Sequence, residues 1–476
     1  MTALAVAAIL ASGSGLCALA LGASALRRWL PAVLLAGAGL WSMTYSAALF
    51  AFGASAAVMM AKDAALVVLG AGALLLAPRR TGEAGESPAP TPAPFRAALA
   101  VGALVATALF VEHTLRYPDG GADAWAIWNL RARSLARAGE SFRDAFSPEL
   151  VFWAHQDYPL LLPGLVAQWF RLLRSESFWI PTAIAWAIAA CGVALLGMAV
   201  KDLRGPGWGV IAALALVSTP AYLVFAANQQ ADAPLSAFLL LAASLLAVAL
   251  ERGCHPRLLL VSGVAFSMCA WTKNEGLLYL GSALAALVVA RKGEPLRGRL
   301  RDALAVLGGA LPGLLLLAFF KGTFAHENDL THFASATGVL ARAASPRPWL
   351  LLAGAWARRL VYFQNWGLHL LGAVAAAAYV TLRGQGWPRP SRVLATTIAL
   401  SFIALFPLYV LQPHPLLWFF RSSIDRVAMH LWPTGLLALF LALAQRIPTA
   451  TELQARSRSA NATPSASHSA YMTLVS

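Results

Sequence analysis

The sequence predicts an all-α polytopic membrane protein of about 13 transmembrane helices, with one further helix lying along the membrane surface. Three observations carry that fold class. Apolar residues make up 59% of the 476 and charged residues only 12%, about half the charge of an ordinary soluble domain. The apolar residues gather in runs near the length of one membrane crossing, and the remaining charges fall mostly between those runs. A water-soluble globule of this size has no room to hide so much apolar surface. A soluble enzyme, a disordered chain and a disulfide scaffold are therefore excluded.

Taken in order, spans are expected near 3–25, 31–53, 61–77, 96–113, 178–200, 207–226, 234–251, 258–272, 275–290, 303–320, 365–382, 393–411 and 427–444. The first has no charged leader before it and reads as a span, not a signal peptide. The pair over 258–290 is short enough to be bent or re-entrant. Residues 1–77 read as a three-span N-terminal module and 78–95 as a Pro/Ala-rich cytoplasmic linker. Residues 96–445 read as a ten-span domain, and 446–476, rich in Ser, Thr and Ala, as a disordered tail. Cys17, Cys191, Cys254 and Cys269 lie in or beside apolar runs without a CxxC pair, so they read as small core residues, not zinc ligands or bridges.

The net charge is +15 and the pI about 10.3, values that often accompany nucleic-acid binding. Here the cations sit in short loops, the pattern of the positive-inside rule, and no nucleic-acid partner is expected. With thirteen crossings, the stretches Arg27-Arg28, Arg79 to Arg96, Lys201 to Arg204, Arg252 to Arg257, Arg291 to Arg301, Arg383 to Arg392 and Arg446 to Arg458 share one face. They hold more than half of the 36 lysines and arginines. That face is expected to be cytoplasmic, with the N-terminus outside. The outer face then carries 114–177, 321–364 and 411–426. Within the first, Trp125, Trp128, Ala132 and Leu135 fall at helical spacing, with Arg131, Arg133 and Arg137 in other directions. This predicts an interfacial helix with aromatics at headgroup depth and guanidiniums reaching lipid phosphates. The apolar stretch Tyr158 to Leu173 is broken by proline and placed on the outer surface, because a span there would invert every later loop.

Five groups could carry chemistry. Asp119-Gly-Gly-Ala-Asp123 follows a span; one carboxylate suits a general base, and Asp123 equally suits a helix N-cap. His155-Gln-Asp157 closes the same loop, as an acceptor-orienting pair, a metal pair or a plain turn. Asp232 sits at the mouth of a span, as a ligand group or a cap. Lys273-Asn-Glu275 lies between two apolar runs, where charge is costly; an anionic ligand or an internal Lys273–Glu275 pair would satisfy it. Arg421 and Arg426 precede the last span and suit phosphate, which arginine grips bidentately, or lipid headgroups. All five fall on one face, where a lipid phosphate can stay at headgroup depth while its tail stays in hydrocarbon. Sugar transfer from a lipid phosphate needs a base for the acceptor hydroxyl and cations for the departing phosphate. It needs no general acid, and it predicts single displacement with inversion. No metal cluster is visible, and no cofactor is expected.

At these residues the chain resembles a known family. DAWAIWNLRAR and HQDYPLLLP in the first outer loop, then ADAPL, WTKNEGLL and SSIDRVAMHLWP, are similar to the C-type (GT-C) membrane glycosyltransferases. The nearer relatives would be the bacterial members of the family 39, protein-mannosyltransferase-like group, which includes the lipid A aminoarabinose transferases. The resemblance covers about 96–445, with 1–77 as an added module. It implies a polyprenyl-phosphate sugar donor, a lipid or protein acceptor and inversion on the outer face of a bacterial inner membrane. Asp123 matches the family's catalytic acid, although Ala124 follows where Glu is common; Asp119, Asp157 and Asp232 all remain open as the second acid. Lys273 matches the family's lysine-bearing turn, and Arg426 a C-terminal arginine near the donor phosphate. The alternative function is a transporter or flippase of lipid-linked sugars, which predicts mid-membrane ionisable residues and inverted repeats. A non-catalytic assembly factor would leave the clustered rim residues unexplained.

Overall fold

The computed structural model of the chain describes residues 1–78, 91–137, 139–147, 149–150, 155–325, 336–361, 364–384, 386–411 and 415–444. Most of the Pro/Ala-rich linker and all of the expected tail lie outside the described residues. Helices α1 (Thr2–Leu21), α2 (Leu30–Phe52), α3 (Ala56–Leu75) and α4 (Ala93–Arg116) come first. The short α5 (Asn129–Arg137) and α6 (Leu161–Leu173) follow, then α7 (Trp179–Arg204), α8 (Pro206–Val217), α9 (Pro220–Ala227), α10 (Asp232–Glu251), α11 (Pro256–Thr272), α12 (Glu275–Val289) and α13 (Leu296–Thr323). The chain closes with α14 (Ala336–Ala344), α15 (Pro346–Val361), α16 (His369–Leu382), α17 (Arg389–Leu411) and α18 (Leu416–Leu443). No strand occurs among the described residues, and the protein is an all-α polytopic membrane protein.

Each of the thirteen expected spans falls on a helix or a helix pair. Among the described residues nine helices are long and apolar enough to cross a membrane, and α8 with α9, bent by 60° at Ser218-Thr219, makes a tenth. The other three, α11, α12 and α16, have 17, 15 and 14 residues. At about 1.5 Å per residue they fall short of a bilayer core of about 30 Å. For α11 and α12 the cause is local: Lys273 takes an extended backbone and ends one helix, and Glu275 opens the next. The Lys273 turn therefore comes up inside the bundle, where its side chain is buried.

The centre of the bundle is α10. Its sequence is apolar all round, as a fully surrounded helix requires, and every residue from Asp232 to Leu250 is buried. It packs against α7, α11, α17 and α18. The neighbouring pair α11 and α13 cross at backbone contact: a Cβ on Gly263 would lie 2.0 Å from the Val306 carbonyl oxygen, and one on Gly309 1.9 Å from that of Leu260. Small residues at a crossing are how helices in lipid gain close packing. Helices α1, α2 and α3 pack on one another, and α2 lies along α6 and α7.

Three expectations about 114–177 change. Ala124–Trp128 forms a π-helical turn leading into α5. The wider turn breaks the α-helical register, so Trp128, Ala132 and Leu135 are buried while Trp125 is exposed. Nor does Arg131 reach for lipid. It is buried, donating from Nη1 to the Tyr158 carbonyl at 2.8 Å and from Nη2 to that of His155 at 2.7 Å; burial pushes its pKa down to about 10. The stretch expected on the outer surface forms α6, whose 13 residues are mostly buried between α2 and α5.

Candidate functional site

Four segments meet at the end of the bundle that carries residues 117–123 and 155–160. The first is set by two glycines. Gly120 has φ +78°, and the Gly121 amide donates to the Asn228 carbonyl at 2.9 Å. A Cβ on Gly120 would come within 2.6 Å of that same oxygen, and one on Gly121 within 2.7 Å of Gln230 Nε2. Two glycines thus let the chain before Asp123 dock on the turn that starts α10. Asn129 Nδ2 and the Pro118 carbonyl, bonded to Gln229 at 3.0 and 3.1 Å, fix the same junction.

The hub is Asp232, wholly buried at the tip of α10, where the helix N-terminus favours a carboxylate. It accepts from Lys273 Nζ at 2.9 Å and from Arg426 Nε and Nη2 at 3.0 Å each. His430, one turn beyond Arg426 on α18, lies 2.5 Å from it through Nε2, and its Nδ1 is 3.0 Å from the Tyr279 hydroxyl. With Nε2 protonated toward Asp232, Nδ1 accepts from the tyrosine. Arg426 also reaches outward: its Nη1 is 2.6 Å from Asp123 Oδ2. Lys273 lies 3.1 Å from Glu275. A buried carboxylate with two cations on it satisfies all three charges, which no one of them could do alone at this depth.

Asp123 is the most open of the three acids, its side chain 30% exposed against 23% for Glu275 and 0% for Asp232. It makes no side-chain cap hydrogen bond, so the N-cap alternative fails: the carboxylate turns to Arg426 instead of its own helix. Its Oδ1 has no bond among the described residues, and Arg426 with five N–H groups keeps two in reserve. The arrangement offers a held carboxylate, an adjoining guanidinium with spare donors and an ammonium behind them. Tyr158 flanks it, 5.8 Å from Lys273 Nζ to the ring centroid and stacked on Trp128 at 5.3 Å. Burial, then the nearby carboxylates, push the Tyr158 phenol far above its ordinary pKa. It stays neutral.

The remaining expected residues fall elsewhere. Asp157 is one step removed: it accepts from Asn274 Nδ2 at 2.7 Å and lies 3.2 Å from Lys321 Nζ, which also donates to Asn274 Oδ1 at 2.9 Å. It braces the turn that carries Lys273. His155 stacks on Tyr158, its ring centroid 4.9 Å from that of the tyrosine. Asp119 is exposed, 3.6 Å from Arg133. Arg421 is exposed five residues before Arg426, a spacing that points it to another side of the helix. The Lys273–Glu275 pair, weighed above as the structural alternative, exists together with the Lys273–Asp232 contact. Sequence reasoning missed His430, Tyr279 and Lys321. His430 had a signal, a histidine inside the apolar run VAMHLWP; Tyr279 and Lys321 had none. Among the described residues no three His, Cys, Asp or Glu side chains converge as a metal site requires.

Residues 157–320 match the family model described as dolichyl-phosphate-mannose-protein mannosyltransferase. The matched stretch includes Asp157, Asp232, Lys273 and Glu275, and leaves Asp123 and Arg426 outside it. No curated protein and no solved structure matches the chain significantly. Over those residues the chain is similar to a family of C-type membrane glycosyltransferases, which together with its apolar helices supports a multi-pass membrane glycosyltransferase.

Proposed function

We propose that the protein is an inverting glycosyltransferase that moves a hexosyl or pentosyl group from a polyprenyl-phosphate donor to an envelope acceptor, a glycolipid or a protein. The reaction takes place on the outer face of a bacterial inner membrane. One observation carries this reading: Arg426 holds the open carboxylate of Asp123 on one side and is fixed by the buried Asp232, shared with Lys273, on the other.

In the reaction, Asp123 Oδ1 takes the proton of the acceptor hydroxyl, whose oxygen attacks the anomeric carbon from the side opposite the phosphate. The bond from that carbon to the phosphate oxygen breaks, and its electron pair leaves on the phosphate. The spare N–H groups of Arg426, with Lys273 behind them, meet the charge that grows there, aimed in advance and sheltered from water. Asp232 orients both cations. Asp123, Asp232 and Glu275 face Lys273 and Arg426 with His430 neutral, so the cluster carries about one net negative charge until Asp123 takes up the acceptor proton, and the pull on the phosphate is local to the spare donors of Arg426.

The test is transfer by the purified protein in nanodiscs, with a polyprenyl-phosphate sugar of known anomeric configuration and envelope glycolipid as acceptor. A glycosylated product of opposite configuration, read by NMR, is expected. Lipid-linked sugar that crosses vesicle membranes with no transfer would establish the flippase instead.

A further inference from the structure

A second polar chamber lies apart from the Asp232 cluster, and none of its lining residues belongs to that cluster. It is a cavity of about 220 Å³ between α2, α3 and α6, several times the roughly 30 Å³ that one water occupies. Asp63 lines the cavity and is paired at 2.6 Å with Lys62, which does not line it, both side chains being buried. Asp63 also accepts from the Trp41 indole at 2.8 Å, and Lys62 donates to Gln168 at 2.7 Å. These charges answer each other. Arg171 and Arg174 also line the cavity and add two positive charges, while its one lining carboxylate, Asp63, is already neutralised by Lys62. Arg171 Nη2 donates to the Ala54 carbonyl, while its Nη1 is fully inaccessible and has no hydrogen-bond partner. Met1, Ala56, Met59, Met60 and Leu172 also line it, a soft apolar wall suited to the first methylenes of a chain.

We propose that this chamber binds a phosphate group, carried by an anionic phospholipid of the adjoining leaflet or free in solution. A turn of the Arg171 guanidinium toward the cavity brings Nη1, which lacks an acceptor where it lies, onto a phosphate oxygen in the planar geometry guanidinium offers oxyanions, and Arg174 at the rim balances the second charge. The Lys62–Asp63 pair adds no net charge of its own, so the attraction for the anion comes from the two arginines.

The test uses the full chain in a phosphate-free maltoside detergent, titrated calorimetrically with dioctanoyl phosphatidic acid, inorganic phosphate and dioctanoylglycerol. Phosphatidic acid should bind, and Arg171→Ala and Arg174→Ala should each weaken it about tenfold or more, the loss of one charge-assisted bond. Arg174 is exposed, so its variant folds even if Arg171→Ala does not. Much weaker inorganic phosphate identifies the ligand as a membrane lipid; equal binding identifies free phosphate. Dioctanoylglycerol binding as well as phosphatidic acid, or binding unchanged in both arginine variants, overturns the proposal. Phosphate binding lost in Arg426→Ala and kept in both variants belongs to the other site and overturns it too.

Discussion

Asp123 and Asp119 sit four residues apart and look alike in the sequence, yet only Asp123 faces Arg426. Asp123→Asn keeps the size and one acceptor oxygen and loses the proton-accepting function. Transfer should fall roughly a hundredfold to ten-thousandfold with donor affinity intact, while Asp119→Asn turns over normally; the opposite ranking in a radiolabelled-donor assay sinks the assignment. Arg426→Lys should recover only part of the donor use lost in Arg426→Ala, because one ammonium cannot bridge Asp123 and Asp232 as the fork does. Asp232→Ala leaves Lys273 and Arg426 buried without their carboxylate, so thermal unfolding should show a loss of about 3–5 kcal/mol; a melting curve like wild type would mean the hub is not holding them. The residues of this cluster were legible as ionisable groups at the ends of apolar runs. Their pairing was not. Asp232 meets partners 41, 194 and 198 residues away, and such contacts follow from helix order in space, which no local pattern encodes.

Helix boundaries were the most legible feature, since each expected run of apolar residues became a helix or a bent pair. The departure came at 124–128, where a π turn replaces the α register that the Trp125 and Trp128 spacing implied. Such turns often mark functional sites, and here it sets the direction in which Asp123 leaves the helix. Deleting Ala126 should restore the α register, bury Trp125 and swing the carboxylate from Arg426: a folded protein with transfer lost, and indole fluorescence shifted to the blue. Unaltered transfer by that deletion would separate the π turn from the site. Just beyond, Arg137 hydrogen-bonds Glu176 at 2.6 Å and so holds its carboxyl below the ordinary pKa. A depressed carboxylate stabilises fully above its unfolded pKa near 4.3 and loses that contribution as pH falls through the folded value. Glu176→Gln should therefore lower the melting temperature slightly at pH 7, where the contribution is fully present, with the difference from wild type shrinking between about pH 5 and 3 and vanishing below. A parallel shift at all pH values would contradict the linkage.

At the scale of the whole molecule, the reading that puts the site outside rests on the basic loops, and labelling can test it directly. In a chain with Cys191 replaced, Ser147→Cys should react with an impermeant maleimide from outside and Gly298→Cys only after permeabilisation; the reverse pattern would turn the molecule over. The all-α membrane architecture needed only composition and run length to read. That three expected crossings are too short to span, and that α10 stands at the centre, needed coordinates, because burial on all sides and exposure to lipid select the same apolar residues. The central position of α10 also sets a sequence in time. Asp232 enters the membrane with α10, and Arg426 and His430 are synthesised about 195 residues later, some 10–40 s at ordinary elongation rates. Through that interval the carboxylate has Lys273 at most as its cation. Arrival of the last helix is what completes the charge balance, so a chain that stops short carries its own mark of incompleteness into the bilayer, for the membrane's proteases to read.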